Sequence, residues 1–67
     1  MRTNLKVFRV KQNLSQQQMA DRLGYTRASY QAIEKGKRNG QKAFWDALQG
    51  SFAIPSADMW ELQQNDT

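Results

Sequence analysis

Five residues share a spacing that could do chemistry together. Arg27, Ala28, Gln31, Ala32 and Lys35 follow i, i+1, i+4, i+5, i+8, the period that sets side chains on one face of an α-helix. A guanidinium fork and a carboxamide among small residues suit flat, hydrogen-bonding edges. Arg27 can bond guanine O6 and N7 with two parallel N–H groups, Gln31 can pair with adenine, and either alanine can meet a thymine methyl. Gln16 and Gln17 begin another candidate helix, whose unpaired N–H groups suit a phosphate. Ser29, Lys35, Lys37, Arg38 and Asn39 add further donors for anions.

The remaining composition removes competing chemistry. The 67 residues include no cysteine and no histidine, so disulfides, thiolate or imidazole metal sites and imidazole acid–base catalysis are excluded. Six scattered carboxylates form no evident dyad, and there is no glycine loop for phosphates; the expectation is no enzyme, no cofactor and no metal. No apolar run exceeds three residues, and no stretch resembles a signal peptide, so a cytoplasmic protein without a membrane partner is expected. The net charge of +4 is segregated: residues 1–45 hold all ten bases with only Asp21 and Glu34, whereas residues 46–67 hold four acids and no base. Such a division suggests a face for polyanions and a tail kept away from it.

Those side chains need a scaffold, and the chain reads as helices throughout. Isolated Val7, Val10, Ile33 and Ile54 never alternate with period two, while helix starts and stops recur. A first helix is expected over Asn4–Gln12, with Leu5, Phe8 and one of Val7 or Val10 inward and Asn13 as a left-handed cap. The second has Ser15 as N-cap, Gln18 completing a capping box, a Leu14–Met19 staple and Gly24 as terminator. Thr26 caps a third helix, Arg27–Lys35, with Tyr25 and Tyr30 spaced as a second staple and Tyr30 and Ile33 turned inward. After the basic loop 36–40, a fourth helix over Gln41–Phe52 aligns Phe44, Leu48 and Phe52, with Gly50 threatening an early end. A short fifth covers Ala57–Gln64. One domain over residues 1–64 follows, with 65–67 as a frayed tail.

Two short helices joined by a glycine turn form a helix-turn-helix. Residues 14–38, LSQQQMADRLGYTRASYQAIEKGKR, resemble the Cro/repressor (Xre-type) family of bacterial and phage transcriptional regulators. The likeness lies in Gln16, Ala20 at the helix crossing, Gly24 in the turn, Ile33 in the core and the Ile-Glu-x-Gly-Lys run at 33–37. It implies an all-α, five-helix Cro/repressor-like domain that binds double-stranded DNA as a homodimer, with the third helix in the major groove. It further implies base reading by Arg27, Ala28, Gln31 and Ala32, with backbone contacts from Gln16, Gln17, Ser29, Lys35, Lys37, Arg38 and Asn39. Arg9 and Glu34 match positions that tie the family's first and third helices together.

Tyr30 departs from the family's usual branched aliphatic and is expected at the core's edge, where its hydroxyl finds a partner. Phe44, Trp45, Trp60 and Leu62 are candidates for a dimer interface, since a small domain cannot hide every aromatic. The acidic, aromatic C-terminal segment also supports an alternative, an antitoxin-like or co-regulator module whose main ligand is a protein. Some Cro relatives end in a β-hairpin, but residues 41–64 contain one β-branched residue and favour helices.

Overall fold

Local signals for starting and stopping helices decide the architecture. The computed structural model describes residues 1–66 and contains five helices: α1 (Thr3–Lys11), α2 (Gln16–Leu23), α3 (Arg27–Glu34), α4 (Lys42–Phe52) and α5 (Ser56–Gln63). No strand occurs among the described residues, so the all-α expectation holds over the β-hairpin. The Ser15 hydroxyl accepts from the Gln18 N–H at 3.1 Å, and Gln18 Oε1 accepts from the Ser15 N–H at 2.8 Å. Both halves of the capping box are therefore closed. Asn13 adopts a left-handed conformation with φ 60°, turning the chain from α1 into α2.

The turn before α3, α3 itself and α4 meet around the ring of Phe44. Tyr25 and Trp45 approach it edge-on, with centroids at 5.3 and 4.9 Å, and Tyr30 lies tilted at 6.1 Å. Tyr25 and Tyr30 thus come together through Phe44. Leu5, Met19, Leu23, Ile33, Leu48, Met59 and Leu62 complete the core, and Ala20 lies fully buried among them. A second aromatic contact, Phe8 against Phe52 at 5.2 Å, closes the far end.

Several expectations need correction. Neither Val7 nor Val10 turns inward; they are 43% and 57% exposed. Leu5, Phe8 and Arg9 occupy the inner face at i, i+3 and i+4, which phases both valines outward. Helix α4 runs through Gly50 to Phe52, because burying Leu48 and Phe52 outweighs the roughly 1 kcal/mol that glycine costs. It stops at Ala53, whose φ of 51° is left-handed, while Gln49 Nε2 donates to the Ile54 carbonyl at 2.9 Å. The tail expected to fray is held at two residues. The N-terminal ammonium donates to Asn65 Oδ1 at 2.7 Å, Asn65 Nδ2 donates to the Gly36 carbonyl at 3.1 Å, and the Thr3 hydroxyl donates to Asp66 Oδ1 at 3.1 Å. The third residue of that tail, Thr67, lies outside the described residues.

Candidate nucleic-acid interface

The turn between α2 and α3 is built from backbone constraints that only certain residues meet. Gly24 terminates α2 with φ +78°, a conformation costly for a residue with a Cβ. The Tyr25 N–H then returns to the Ala20 carbonyl at 2.9 Å. Thr26 follows at once as N-cap, accepting from the Ser29 N–H at 3.2 Å and donating its own hydroxyl to Ser29 Oγ at 3.0 Å. Three residues therefore reverse the chain and launch the next helix.

Helix α3 has two contrasting faces. Tyr30, Ile33 and Glu34 point into the protein, and Glu34 is only 1% exposed. Arg27, Ala28 and Lys35 are exposed, with Gln31 and Ala32 half-buried beside them. The sole carboxylate between residues 27 and 41 is the buried Glu34. Among the described residues the two ion pairs are Arg9–Glu34 and Lys42–Asp46, which leaves Arg27 without a carboxylate partner. Its donors stand at the leading end of α3, where a helix entering a major groove reads base edges.

Behind that face lies a saturated polar cluster. Glu34 accepts four hydrogen bonds: from Arg9 Nε at 2.9 Å, Arg9 Nη2 at 3.3 Å, Gln16 Nε2 at 3.1 Å and the Tyr30 hydroxyl at 2.6 Å. Arg9 also donates to the Leu14 carbonyl at 2.7 Å, so one guanidinium joins α1, the first turn and α3. The Arg9–Glu34 pairing is as expected. Tyr30 is not at the core's edge; it is fully buried, because its hydroxyl finds a partner on its own helix four residues on. Burial pushes the Glu34 carboxyl upward, yet hydrogen bonds from Arg9, Tyr30 and Gln16, with the Arg9 charge, hold it below its usual range. Tyr30 moves the other way: burial, then the bond to Glu34, raises its hydroxyl above the ordinary tyrosine value.

Candidate backbone contacts surround the exposed face of α3. Gln16, at the start of α2, is half-buried and already oriented by Glu34, whereas Gln17 is exposed and donates to Asp21 Oδ1 at 2.8 Å. Lys37, Arg38 and Asn39 are exposed in the loop after α3. That loop folds back on the helix, with the N–H groups of Lys37 and Arg38 both meeting the Ala32 carbonyl, at 2.9 and 3.2 Å. Ser29, Lys37, Arg38 and Gln41 border one open cleft between α3 and the start of α4.

The four aromatic and aliphatic interface candidates separate sharply. Phe44, Trp45 and Leu62 are buried, occupied by the core itself. Trp60 alone of the four is exposed, at 68%. One central residue was missed altogether. Arg2 is 4% exposed and donates to the carbonyls of Ile33 at 2.6 Å, Arg38 at 2.7 Å, Gln63 at 3.0 Å and Asn39 at 3.3 Å. Its guanidinium carbon also lies 5.4 Å from the centre of the Trp45 ring. Nothing in the sequence separates Arg2 from the other nine bases, because its acceptors are main-chain carbonyls. Among the described residues no group of acids could hold a metal ion, and no helix is long and apolar enough to cross a membrane.

A glycine-turned helix pair, presenting a basic second helix free of exposed carboxylates, defines a helix-turn-helix DNA-binding protein. The helix-turn-helix family matches residues 5–39, over half of the chain. A relative from Archaeoglobus fulgidus, named an uncharacterized HTH-type transcriptional regulator, is 32% identical over 69 aligned positions, covering 91% of this chain and 97% of the relative. No solved structure matches. The chain belongs to the Cro/C1-type (Xre) helix-turn-helix family, and it is a DNA-binding transcriptional regulator.

Proposed function

We propose that the protein represses transcription by binding an inverted-repeat operator as a homodimer, with α3 of each copy in successive major grooves about one helical turn apart. The observation that carries this reading is the division of α3: Tyr30, Ile33 and Glu34 are buried while Arg27 and Ala28 stand clear, with no exposed carboxylate between residues 27 and 41. Arg27, Ala28, Gln31 and Ala32 read bases, and Gln16, Gln17, Ser29, Lys35, Lys37, Arg38 and Asn39 meet the sugar–phosphate backbone. Backbone contacts hold register and base contacts choose sequence. Trp60 supplies the exposed aromatic for the subunit contact, since aromatics are favoured at interface centres. Repression then comes from occupancy of promoter DNA.

Selection from random duplexes, followed by sequencing, tests the proposal. The expected product is a two-fold-related pair of half-sites one turn apart. Roughly six to eight phosphate contacts per dimer give a log–log salt slope of about −5 to −7. A flat salt response with no enriched sequence overturns it. The exposed Trp60, flanked within α5 by Asp58 and Glu61, favours a second reading, a module whose main ligand is another protein. Failure of the isolated chain to shift duplex DNA, with a shift restored by a copurifying protein, selects that reading.

A further inference from the structure

The loop at residues 36–40 contains no regular structure, yet it is fixed from beneath by one guanidinium. Arg2 donates to the carbonyls of Arg38 and Asn39 in the loop and to that of Ile33 in the last turn of α3. A fourth bond goes to Gln63, the last residue of α5. The main chain of Arg2 joins in, its N–H donating to the Glu34 carbonyl at 2.7 Å. Trp45 supports the same loop. Its ring lies near the Arg2 guanidinium, and its Nε1 donates to the Asn39 carbonyl at 3.2 Å.

This is an unusual way to stabilise a loop. Arg2 has no carboxylate partner among the described ion pairs, so it is a buried cation held by carbonyl dipoles. Burying a cation is costly, and an apolar side chain of similar volume commonly stabilises a fold as well or better. What an apolar side chain cannot do is fix the direction of particular peptide groups. The planar fork can, because its donors have set angles. With the carbonyls of 38 and 39 committed to it, the side chains of Lys37, Arg38 and Asn39 stand exposed. Desolvation acts on the guanidinium here, but arginine keeps its charge even so, and that charge sits beneath two further bases.

We propose that Arg2 is a positioning residue for DNA binding: its bonds to the Ile33, Arg38 and Asn39 carbonyls hold Lys37, Arg38 and Asn39 ready for the phosphates. The proposal rests on the reading that this loop meets the DNA backbone. Ordering the loop in advance removes the entropy that a free loop loses on binding. Arg2 is buried with its donors committed to carbonyls, so it acts through the loop and on affinity for every sequence alike.

The test uses the full chain, with the duplex chosen by random selection as probe, at a temperature where circular dichroism shows each variant folded. Wild-type protein that fails to bind any duplex sinks the parent reading. Given wild-type binding, Arg2→Met is expected to weaken affinity about tenfold or more and to reduce the salt slope by roughly 0.9 for each phosphate no longer neutralised. Base preference stays as in the wild type. In the Arg2→Met background Lys37→Ala costs little further, whereas Arg27→Ala retains its full effect. Arg2→Lys keeps the charge but loses the fork, and it is expected to resemble Arg2→Met. An unchanged slope, full additivity with Lys37→Ala, or complete rescue by lysine overturns the proposal. Should Arg2→Met fail to fold, Trp45→Phe removes the bond to Asn39 and trims the ring beside Arg2 while leaving Arg2 itself in place. It is expected to lower the slope in the same direction, and an unaltered slope and affinity in that variant equally refutes the idea.

Discussion

Replacing Glu34 by glutamine keeps the shape of the side chain and removes its charge. In the native cluster Oε2 accepts from Arg9 Nε and the Tyr30 hydroxyl, and Oε1 accepts from Arg9 Nη2 and Gln16 Nε2. A carboxamide has one oxygen, so whichever way it turns, its NH2 group faces donors in place of an acceptor. Arg9 is left without an anion at a site where Glu34 had only 1% exposure. Breaking a buried ion pair on one side costs about 3–5 kcal/mol. The Arg9 side chain is 11% exposed and can recover some hydration, which places the loss near the lower end, about 3 kcal/mol. A domain of this length has total stability of roughly 3–10 kcal/mol, so Glu34→Gln leaves it marginal. At about 4–8 °C per kcal/mol for small domains, the melting temperature falls by roughly 12–24 °C.

Tyr30→Phe is the graded companion, deleting one hydrogen bond to a charged acceptor and costing about 1.5–3 kcal/mol. Thermal and urea unfolding by circular dichroism measure both. The pH dependence separates charge from shape. Glu34 lies below its ordinary value of 4.5 when folded, so its contribution is complete above that pH and is lost as pH falls through the lower folded value. Tyr30 lies above its ordinary value of 10.0 when folded, so its contribution is complete below that pH and is lost as pH rises from there towards the raised folded value, where the unfolded chain releases a proton that the folded chain still holds. Glu34→Gln should flatten the acid limb, and Tyr30→Phe the alkaline one. If Glu34→Gln melts within about 2 °C of the wild type, the cluster contributes little and its assigned role is wrong.

Other outcomes follow from single contacts. Arg27→Ala should erase about 1–3 kcal/mol of preference at one base pair, read by competition between selected and mutated duplexes. Lys37→Ala should instead weaken all sequences alike and reduce the salt slope by about 1. Gly40 has φ +72°, and a Cβ there would lie 3.0 Å from Trp45 Nε1, so Gly40→Ala should cost about 1–2 kcal/mol in denaturant unfolding. Trp60→Glu should leave the melting of dilute protein within about 0.5 kcal/mol, as exposed sites do. The same change should weaken self-association and operator affinity by tenfold or more, measured by sedimentation and fluorescence anisotropy.

Signals confined to a few neighbouring residues were legible in the sequence. The capping box at Ser15–Gln18, the left-handed Gly24 and the Thr26 cap each depend on contacts within four residues, and each is present. The split of α3 into buried and exposed faces was legible for the same reason. Signals were misread where a distant partner changed what a residue could do. Arg9 takes an inward position that composition would assign to a valine, because Glu34 lies 25 residues away to receive it. Tyr30 is an exception to that rule: its partner Glu34 lies only four residues on along the same helical face, and it is this local acceptor that lets the hydroxyl be buried. Phe44, Trp45 and Leu62 are interface candidates in the sequence only on the expectation that so small a domain cannot hide every aromatic. Stacking three aromatic rings around Phe44 removes that difficulty and leaves Trp60 outside. Arg2 had no legible signal, since carbonyls from three separate segments receive it.

These two hidden arginines act on the same end of α3. Arg9 reaches it through the Glu34 side chain, and Arg2 through the Ile33 carbonyl and its own N–H to the Glu34 carbonyl. The opposite end is held differently, by the hydroxyl cap at Thr26, worth about 1 kcal/mol. A helix fixed at its trailing end by buried charge, with a leading end that needs only a cap, can keep Arg27 and Ala28 exposed without becoming loose. Strong anchoring at the front would pack side chains around Arg27 and Ala28, the residues proposed to enter the groove. On the proposed reading, this uneven anchoring along α3 is what lets so small a helical domain hold a helix firmly while Arg27 and Ala28 stay clear.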